Sequence, residues 1–478
     1  MFAQNRGLRE AVTMRQGCCQ LPAAVAGKVL DRLVLLEQVI GPEGVQQALI
    51  DTACFDSRSC TLTREVIFWV VLAMGIWTEL PIRQVFKAAR RLRPGEATPH
   101  RSSLCVARQR LGVAPVRRLF TQTVRPLAAP DTPGAFYQGW RLMAVDGTVM
   151  RVPDSKANAA AFGYPDGGHR GRGARPQIRK LSLVEVGTHV AVALTIKGIK
   201  HSGERTMVHA LLRHLRPDML LLWDRGFFSS ALWKTVIATG CQLLARASCR
   251  LILRPITSLA DGSYIAQLYP CDSERNKDRH GIEVRVIRYR LNDPQRVGHA
   301  QEHVLLTTLL DAARYPALEL VCLYHERWEI ELVFDEQKTH LDPRRPTKPA
   351  HLRSETPLGV LQEVYALSLG HYAVRALMVQ AAATQQLDPD RLSFTGCLQI
   401  LRCRLPECAA QTPEDLQAWY EVLLWEMSME RTDDVQRRNR INPRVVRQKM
   451  SKFKKKRPEH RGLPPLQKTF AETIVVIR

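Results

Sequence analysis

Three carboxylates stand where a fold could put them to chemical use: Asp146 in "LMAVDGTVM", Asp224 in "MLLLWDRGFF" and Glu331 in "YHERWEIELVFDEQKTH". Each aspartate follows an apolar run of strand character. Taken singly, Asp-Gly and Asp-Arg-Gly are ordinary turn material after a strand. Taken with Glu331, they are three acids on elements that an α/β sheet could bring side by side. Carboxylates gathered with few neutralising partners repel one another unless a divalent cation joins them, and hard oxygen ligands select Mg2+ or Mn2+.

Glu331 has unusual company. At about 100° per residue, Tyr324, Arg327, Glu331 and Lys338 fall at roughly 0°, 300°, 340° and 320°, a strip about 60° wide. Glu326, Glu329 and Glu336 point elsewhere, at roughly 200°, 140° and 120° by the same count. A single helix here offers a carboxylate amid a phenol, a guanidinium and an ammonium. Phe334 and Trp328 flank the strip and Asp335 sits just outside it. The same spacing also suits a surface helix with ordinary i,i+4 ion pairs.

The elements that must position these residues can be read along the chain. Residues up to about 135 read as helical: "TREVIFWVVLAMGIWTELPIRQVFKAARRLR" is an apolar helix followed by a basic amphipathic one. "HRSSLCVARQRLGVAPVRRLF" predicts a cap at Ser102 or Ser103, a break near Gly112 and a new start around Pro115. Arg101, Arg108, Arg110, Arg117 and Arg118 give this stretch a basic surface. It suits a helix-turn-helix-like DNA reader or a bundle with a solvated basic face. "DTPGAFYQG" reads as a linker. After it the pattern turns to β: "RLMAVDGTVMRV" as strand, turn and strand, then "KLSLVEVG", "HVAVALTIKG", "DMLLLWDRG" and "CQLLARA" as strands, with "SSALWKTVIATG" as a helix. This order suggests a sheet that is antiparallel first and parallel afterwards. Residues 250 to about 310 are β-like and polar and read as an inserted sheet. "TPLGVLQEVYALSLGHYAVRALMVQAAA" predicts a long helix capped by Thr356 with Pro357 at its first position.

Composition narrows the partners. The chain has 478 residues, enough for two to four domains. Sixty-nine Lys and Arg against 46 Asp and Glu leave a formal net charge of +23. That balance favours a polyanion, nucleic acid before an anionic membrane. Between Arg437 and Arg461 there are 12 Lys or Arg against one Glu. The longest apolar run, Val66 to Trp77, is 12 residues and too short to span a bilayer. The N-terminus has no apolar segment of the secretory kind. Twelve scattered cysteines lack zinc-site spacing, so reduced thiols and no structural metal are expected. "DGGHRGRGARPQIRK", 166–180, is a basic Gly-rich loop without the P-loop pattern. Its His169, Arg170, Arg172, Arg175, Arg179 and Lys180 could track a DNA backbone or face solvent.

The order Asp146, Asp224, Glu331 resembles that of the DDE transposases with a ribonuclease-H-like core. Tyr324-x2-Arg327-x3-Glu331-x6-Lys338 matches the YREK motif of the insertion-sequence-four family of bacterial transposases. "AVDGTVMRVPDS", "NAAAFGYP", "LLLWDRGFFS", "LRSETPLGVLQEVYAL" and "RVVRQKMSKF" extend the resemblance over most of the chain. It implies an α/β fold with a ribonuclease-H-like mixed sheet core interrupted by a β-rich insertion. Helical N-terminal and helical, basic C-terminal regions flank that core. The domains expected are a DNA-binding 1–135, core halves at 136–249 and 315–385, the insertion at 250–314 and a DNA-binding or dimerising 386–478. The implied activity is binding of terminal inverted repeats, cleavage and strand transfer by a cut-and-paste DDE mechanism. Two Mg2+ ions per site, with Mn2+ as substitute, would be held by Asp146, Asp224 and Glu331. Tyr324, Arg327 and Lys338 would grip DNA phosphate. The implied partners are double-stranded transposon ends and target DNA, met as a homodimer in the cytoplasm at the nucleoid, with no membrane. A Mg-dependent nuclease without strand transfer, or a catalytically dead DNA-binding regulator, are the alternatives. Asp335 is the runner-up carboxylate. Some relatives hold a flipped base with a tryptophan from the insertion; this chain has none between Trp233 and Trp328, which leaves Tyr264, Tyr269 or Tyr289.

Overall fold

A computed structural model describes residues 31–431, 445–446, 454–455 and 468–477, apart from 42, 58, 91–96, 167–170, 201–202, 295–298, 300, 342–351 and 409–410. Most of the basic stretch Arg437–Arg461, together with His169 and Arg170 of the Gly-rich loop, lies outside the described residues.

The sheet begins with β1 (Trp140–Arg151), β2 (Gln177–Glu185) and β3 (Val190–Gly198), each antiparallel to the next. Then β4 (Met219–Trp223) adds parallel to the other side of β1, and β5 (Gln242–Ala247) parallel to β4. The spatial order β3-β2-β1-β4-β5 is that of a ribonuclease-H-like core. β4 is buried along its whole length, the pattern of a strand covered on both faces.

The expected insertion does not form a sheet of its own. Its strands β6 (Tyr264–Leu268), β7 (Ile282–Leu291) and β8 (His303–Thr307) continue the core sheet, β8 pairing antiparallel with β5. Fully buried Arg285 on β7 ties this extension down. Its guanidinium donates to Ser263 Oγ (2.8 Å), the Tyr315 carbonyl (2.6 Å) and Asp261. Asp261 in turn accepts at 2.8 Å from the backbone N–H of Ala317, the first residue of the helix Ala317–His325. One strand was not foreseen. β9 (Ile474–Val476) brings the C-terminal end back to pair with β7, where Phe470 stacks on His325 with ring centroids 4.2 Å apart.

Helices cover the sheet and form the flanking region. α1 (Arg64–Ile76) is the buried apolar helix expected, capped by Thr63, whose hydroxyl accepts from Val66 N–H at 3.2 Å. α2 (Arg101–Leu111) is capped by His100 rather than by Ser102 or Ser103, the imidazole accepting from Ser102 N–H at 3.3 Å. Gly112, at φ +71°, breaks the chain before α3 (Ala114–Thr123). Arg108 leaves the expected basic surface and turns inward, donating to Ser354 Oγ (3.0 Å) and the Gly359 carbonyl (2.8 Å). The chain continues through α4 (Ala317–His325), α5 (Glu329–Asp335), the long α6 (Pro357–Thr384), α7 (Phe394–Cys408) and α8 (Pro413–Met429). Thr356 caps α6, as its sequence predicts. Among the described residues no helix is long and apolar enough to cross a membrane, and all ten cysteines are free.

α1 and α6 cross backbone to backbone. A Cβ on Gly75 would lie 2.0 Å from the Ala366 carbonyl oxygen, and one on Gly370 2.7 Å from that of Gly75. Gly75→Ala is therefore expected to destabilise by roughly 1–3 kcal/mol, the usual cost of overpacking. Thermal unfolding should show a drop of several degrees. Gly203→Ala, at a position with no atom within 4 Å of its Cβ, should leave the melting temperature in place.

Candidate active site

β1 and β4 run parallel in a register that sets Val145 opposite Trp223. The next residue on each is an acid: Asp146 within β1, and Asp224 just past the end of β4, opening the 3-10 turn Arg225–Phe227. The expected turn at Asp146-Gly147 is absent, because β1 runs unbroken to Arg151. Gly147 instead leaves room for two neighbouring side chains. A Cβ there would lie 2.9 Å from Glu204 Oε1 and 3.1 Å from Leu181 Cδ1.

The Tyr324–His340 stretch is not one regular helix. α4 ends at His325, a 3-10 turn covers Glu326–Trp328, α5 follows, and a π-turn covers Glu336–His340. The strip expected from ideal spacing is thereby divided among separate duties. Tyr324 is buried, and its hydroxyl donates to the Trp223 carbonyl at 3.2 Å, bracing the strand end just before Asp224. Arg327 is 6% exposed and donates from Nη1 to Asp146 Oδ2 at 3.2 Å, with its guanidinium 5.3 Å from the Trp328 ring centre. Glu331 is half-buried on α5, which packs on β1. Lys338 is half-buried in the π-turn, where burial lowers its pKa against the favourable charge of Asp335. Asp335 is exposed.

Electrostatics joins the three acids at Arg327. Burial works against the guanidinium charge, yet Tyr324, Asp224, Asp146 and Glu331 together raise its pKa. Burial also raises the Asp146 carboxyl, and the charge of Asp224 adds to the push, against the Gly147 N–H (2.7 Å) and Arg327. Asp146 is thus harder to ionise than an ordinary carboxylate even with Arg327 bonded to it. Carboxylate oxygens are the hard donors that Mg2+ and Mn2+ take.

Two groups beside this site differ from their sequence reading. Lys180 belongs to β2, not to the Gly-rich loop. It lies two positions before Ser182, the partner of Asp146 across the ladder. It is fully buried, with Nζ donating to Gln337 Oε1 (2.6 Å) and Ser368 Oγ (3.0 Å). Burial pushes its pKa down to about 7, and the charge of Lys338 adds to this. Between pH 7 and the ordinary value of 10.5 the unfolded chain holds a proton that the folded chain has released, so this group makes stability rise with pH there. Lys180→Met should therefore melt several degrees higher at pH 6.5, with the difference shrinking toward pH 10. A difference that stays constant with pH would contradict this reading of Lys180.

The second group is an ionic cluster on the far side of α5. Glu336 accepts from His371 Nε2 at 2.8 Å and from the Arg375 guanidinium. His189 reaches Glu336 (3.2 Å) through Nδ1, and Glu329 (3.1 Å) and Asp390 (3.3 Å) through Nε2. The ligand atoms of His189, Glu329 and Asp390 all lie within 4.8 Å of one another. Ideal helical spacing points Glu329 and Glu336 away from the strip and gives them no partner. Of the three insertion tyrosines, Tyr264 and Tyr289 are core residues. Tyr269 keeps a half-exposed ring, its hydroxyl bonded to Asp278.

A ribonuclease-H-like sheet order with acids on adjacent parallel strands is the arrangement of the DDE class, and the family comparisons agree. The family described as "Insertion element 4 transposase N-terminal" matches residues 30–121, and "Transposase DDE domain" matches residues 138–356. The Escherichia coli (strain K12) "Transposase InsG for insertion sequence element IS4" is 28% identical over 446 residues, covering 88% of this chain and 93% of that protein. InsZ of the same strain is 27% identical over 211 residues, 44% of this chain and 69% of its own length. A solved piggyBac transposase synaptic complex with hairpin DNA aligns at a TM-score of 0.42 and 11% identity, over 83% of this chain and 85% of that one. The chain belongs to the insertion element 4 family of DDE transposases, enzymes that cleave and join DNA with a divalent metal.

Proposed function

We propose that the protein binds the terminal inverted repeats of an insertion sequence, cuts them free and joins them to target DNA by a cut-and-paste route, with Asp146, Asp224 and Glu331 as its catalytic carboxylates. The observation that supports this most is the register that sets Asp146 and Asp224 side by side on adjacent parallel strands, with Arg327 bonded to Asp146 and its charge favoured by Asp224 and Glu331. Two Mg2+ ions, or Mn2+ in their place, would be held by these three residues and would supply activation of the attacking hydroxyl and stabilisation of the leaving oxygen. Arg327 keeps a buried Nε–H with no acceptor among the described residues. A phosphate oxygen beside Asp146 is an acceptor of the right charge for it. Tyr324 acts as a strut for the Asp224 strand end rather than as a phosphate donor, since its hydroxyl is already engaged. Lys338 supplies a point charge at the edge of the site.

One incubation tests this reading: the protein with a labelled transposon end, a target plasmid and Mg2+. Cleaved and joined products support it. Nicks without joining point to a nuclease, and a gel shift without products to a DNA-binding regulator. Joining two ends needs two active sites and each chain carries one triad, so the complex is a homodimer on DNA. Light scattering should give two chains per pair of ends, and one chain per pair would refute that part.

A further inference from the structure

The lengths of helix on either side of α5 are irregular, a 3-10 turn before it and a π-turn after it. The backbone stays hydrogen-bonded through both turns but passes from 3-10 to α to π geometry, so the rotation of these seven residues is not that of one regular helix. Yet rotation matters here. A carboxylate rides roughly 5–6 Å from a helix axis, so a turn of about 20° moves it by about 2 Å, whereas metal coordination tolerates about 0.2 Å.

The anchors that could set this rotation lie opposite Glu331. On an α-helical count Glu329 and Glu336 are within roughly 20° of each other and about 140–160° from Glu331. Both are buried. Glu336 is gripped by His371 and Arg375 of α6, and His189 in the β2–β3 turn spans Glu336 and Glu329. Asp390, in the 3-10 turn Pro389–Arg391, approaches the same His189 nitrogen as Glu329. The helix is thus fastened at both ends, on the face away from the chemistry, to elements on either side of it.

We propose that Glu329 and Glu336, held by His189, His371 and Arg375, are positioning residues that fix the rotation of α5 and so the place of Glu331 beside Asp146 and Asp224. This rests on Glu331 being the third catalytic carboxylate. The lock acts through Glu331, so its loss raises the metal concentration that cleavage requires and leaves the DNA-binding surfaces alone.

The test uses the full-length protein with Glu336→Gln and Glu336→Asp, and with Glu329→Gln as a milder variant should the first fold poorly. Cleavage of a labelled end is titrated with Mg2+, and end affinity and thermal midpoint are measured alongside. Glu336→Gln and Glu329→Gln should shift the Mg2+ midpoint upward by roughly tenfold with end affinity within about twofold, and Glu336→Asp should recover part of the shift. A purely structural role lowers the melting temperature and the active fraction but leaves the Mg2+ midpoint where it was, and that result overturns the proposal. Glu331→Gln is run beside them. If it cleaves normally the carboxylate assignment has failed, whereas a dead Glu331→Gln beside unshifted lock variants condemns the lock alone. Metal analysis of the purified protein completes the set. A stoichiometric tightly bound ion, lost in His189→Gln, would mean that His189, Glu329 and Asp390 hold a cation and that the lock as stated is wrong.

Discussion

Asp146→Asn, Asp224→Asn and Glu331→Gln are each expected to lower cleavage of transposon-end DNA by about three orders of magnitude or more, in line with loss of transition-state charge stabilisation. Binding of the same DNA should change little. The acids are each partly buried, while end affinity is spread over many basic contacts on a chain of net charge +23. A gel shift and a single-turnover cleavage assay on each variant measure both. Cleavage within tenfold of the parent by any one variant would remove that residue from the site. Asp335→Asn, by contrast, should cleave normally, since Asp335 is exposed and is coupled to Lys338.

Arg327→Lys should be nearly as damaging, about a hundredfold or more in cleavage, although the formal charge is kept. The guanidinium serves several acids from one buried position and leaves Nε–H for a phosphate, a geometry that an ammonium cannot reproduce. Arg327→Met should go further. With a buried partner removed, Asp146 loses its hydrogen bond and a favourable charge, at a cost on the order of 3–5 kcal/mol for a broken buried pair. The direction with pH follows from the same contact. Arg327 lowers the Asp146 pKa, so without it the carboxyl protonates at higher pH, and the acid limb of the cleavage profile should move alkaline. An unmoved acid limb would mean that Arg327 does not govern the ionisation of Asp146.

How much of this was legible in the sequence differs from residue to residue. The two aspartates were readable because an apolar run followed by an acid is a local pattern, and the antiparallel-then-parallel order follows from strand and helix alternation. The Asp146-Gly147 turn was misread for a related reason. Asp-Gly favours a turn locally, but here the glycine answers to Glu204 and Leu181, which sequence spacing cannot reveal. The helical strip was drawn on ideal α geometry, whereas the 3-10 and π-turns redistribute its members. Tyr324 goes into the core and Lys338 comes beside Lys180. The cluster around Glu336 joins residues as far apart in the chain as His189 and Asp390, so its only sequence trace was two glutamates seven residues apart on the face away from Glu331. Lys180 looked like one more charge in a basic loop, because its burial depends on α6 closing over β2 through Ser368.

The claim that Asp146, Asp224 and Glu331 together hold the metal is tested most directly by changing the hardness of one donor. Asp146→Cys, Asp224→Cys and Glu331→Cys each replace a hard oxygen with a thiolate, which prefers softer ions than Mg2+. Cleavage by each variant is measured in Mg2+ and in Mn2+ or Cd2+, with end binding as the control for folding. The predicted result is no cleavage in Mg2+ and partial recovery in the softer ion for all three. A variant that binds ends but stays inactive in every ion, or one that cleaves as well in Mg2+ as the parent, would contradict metal ligation by that residue.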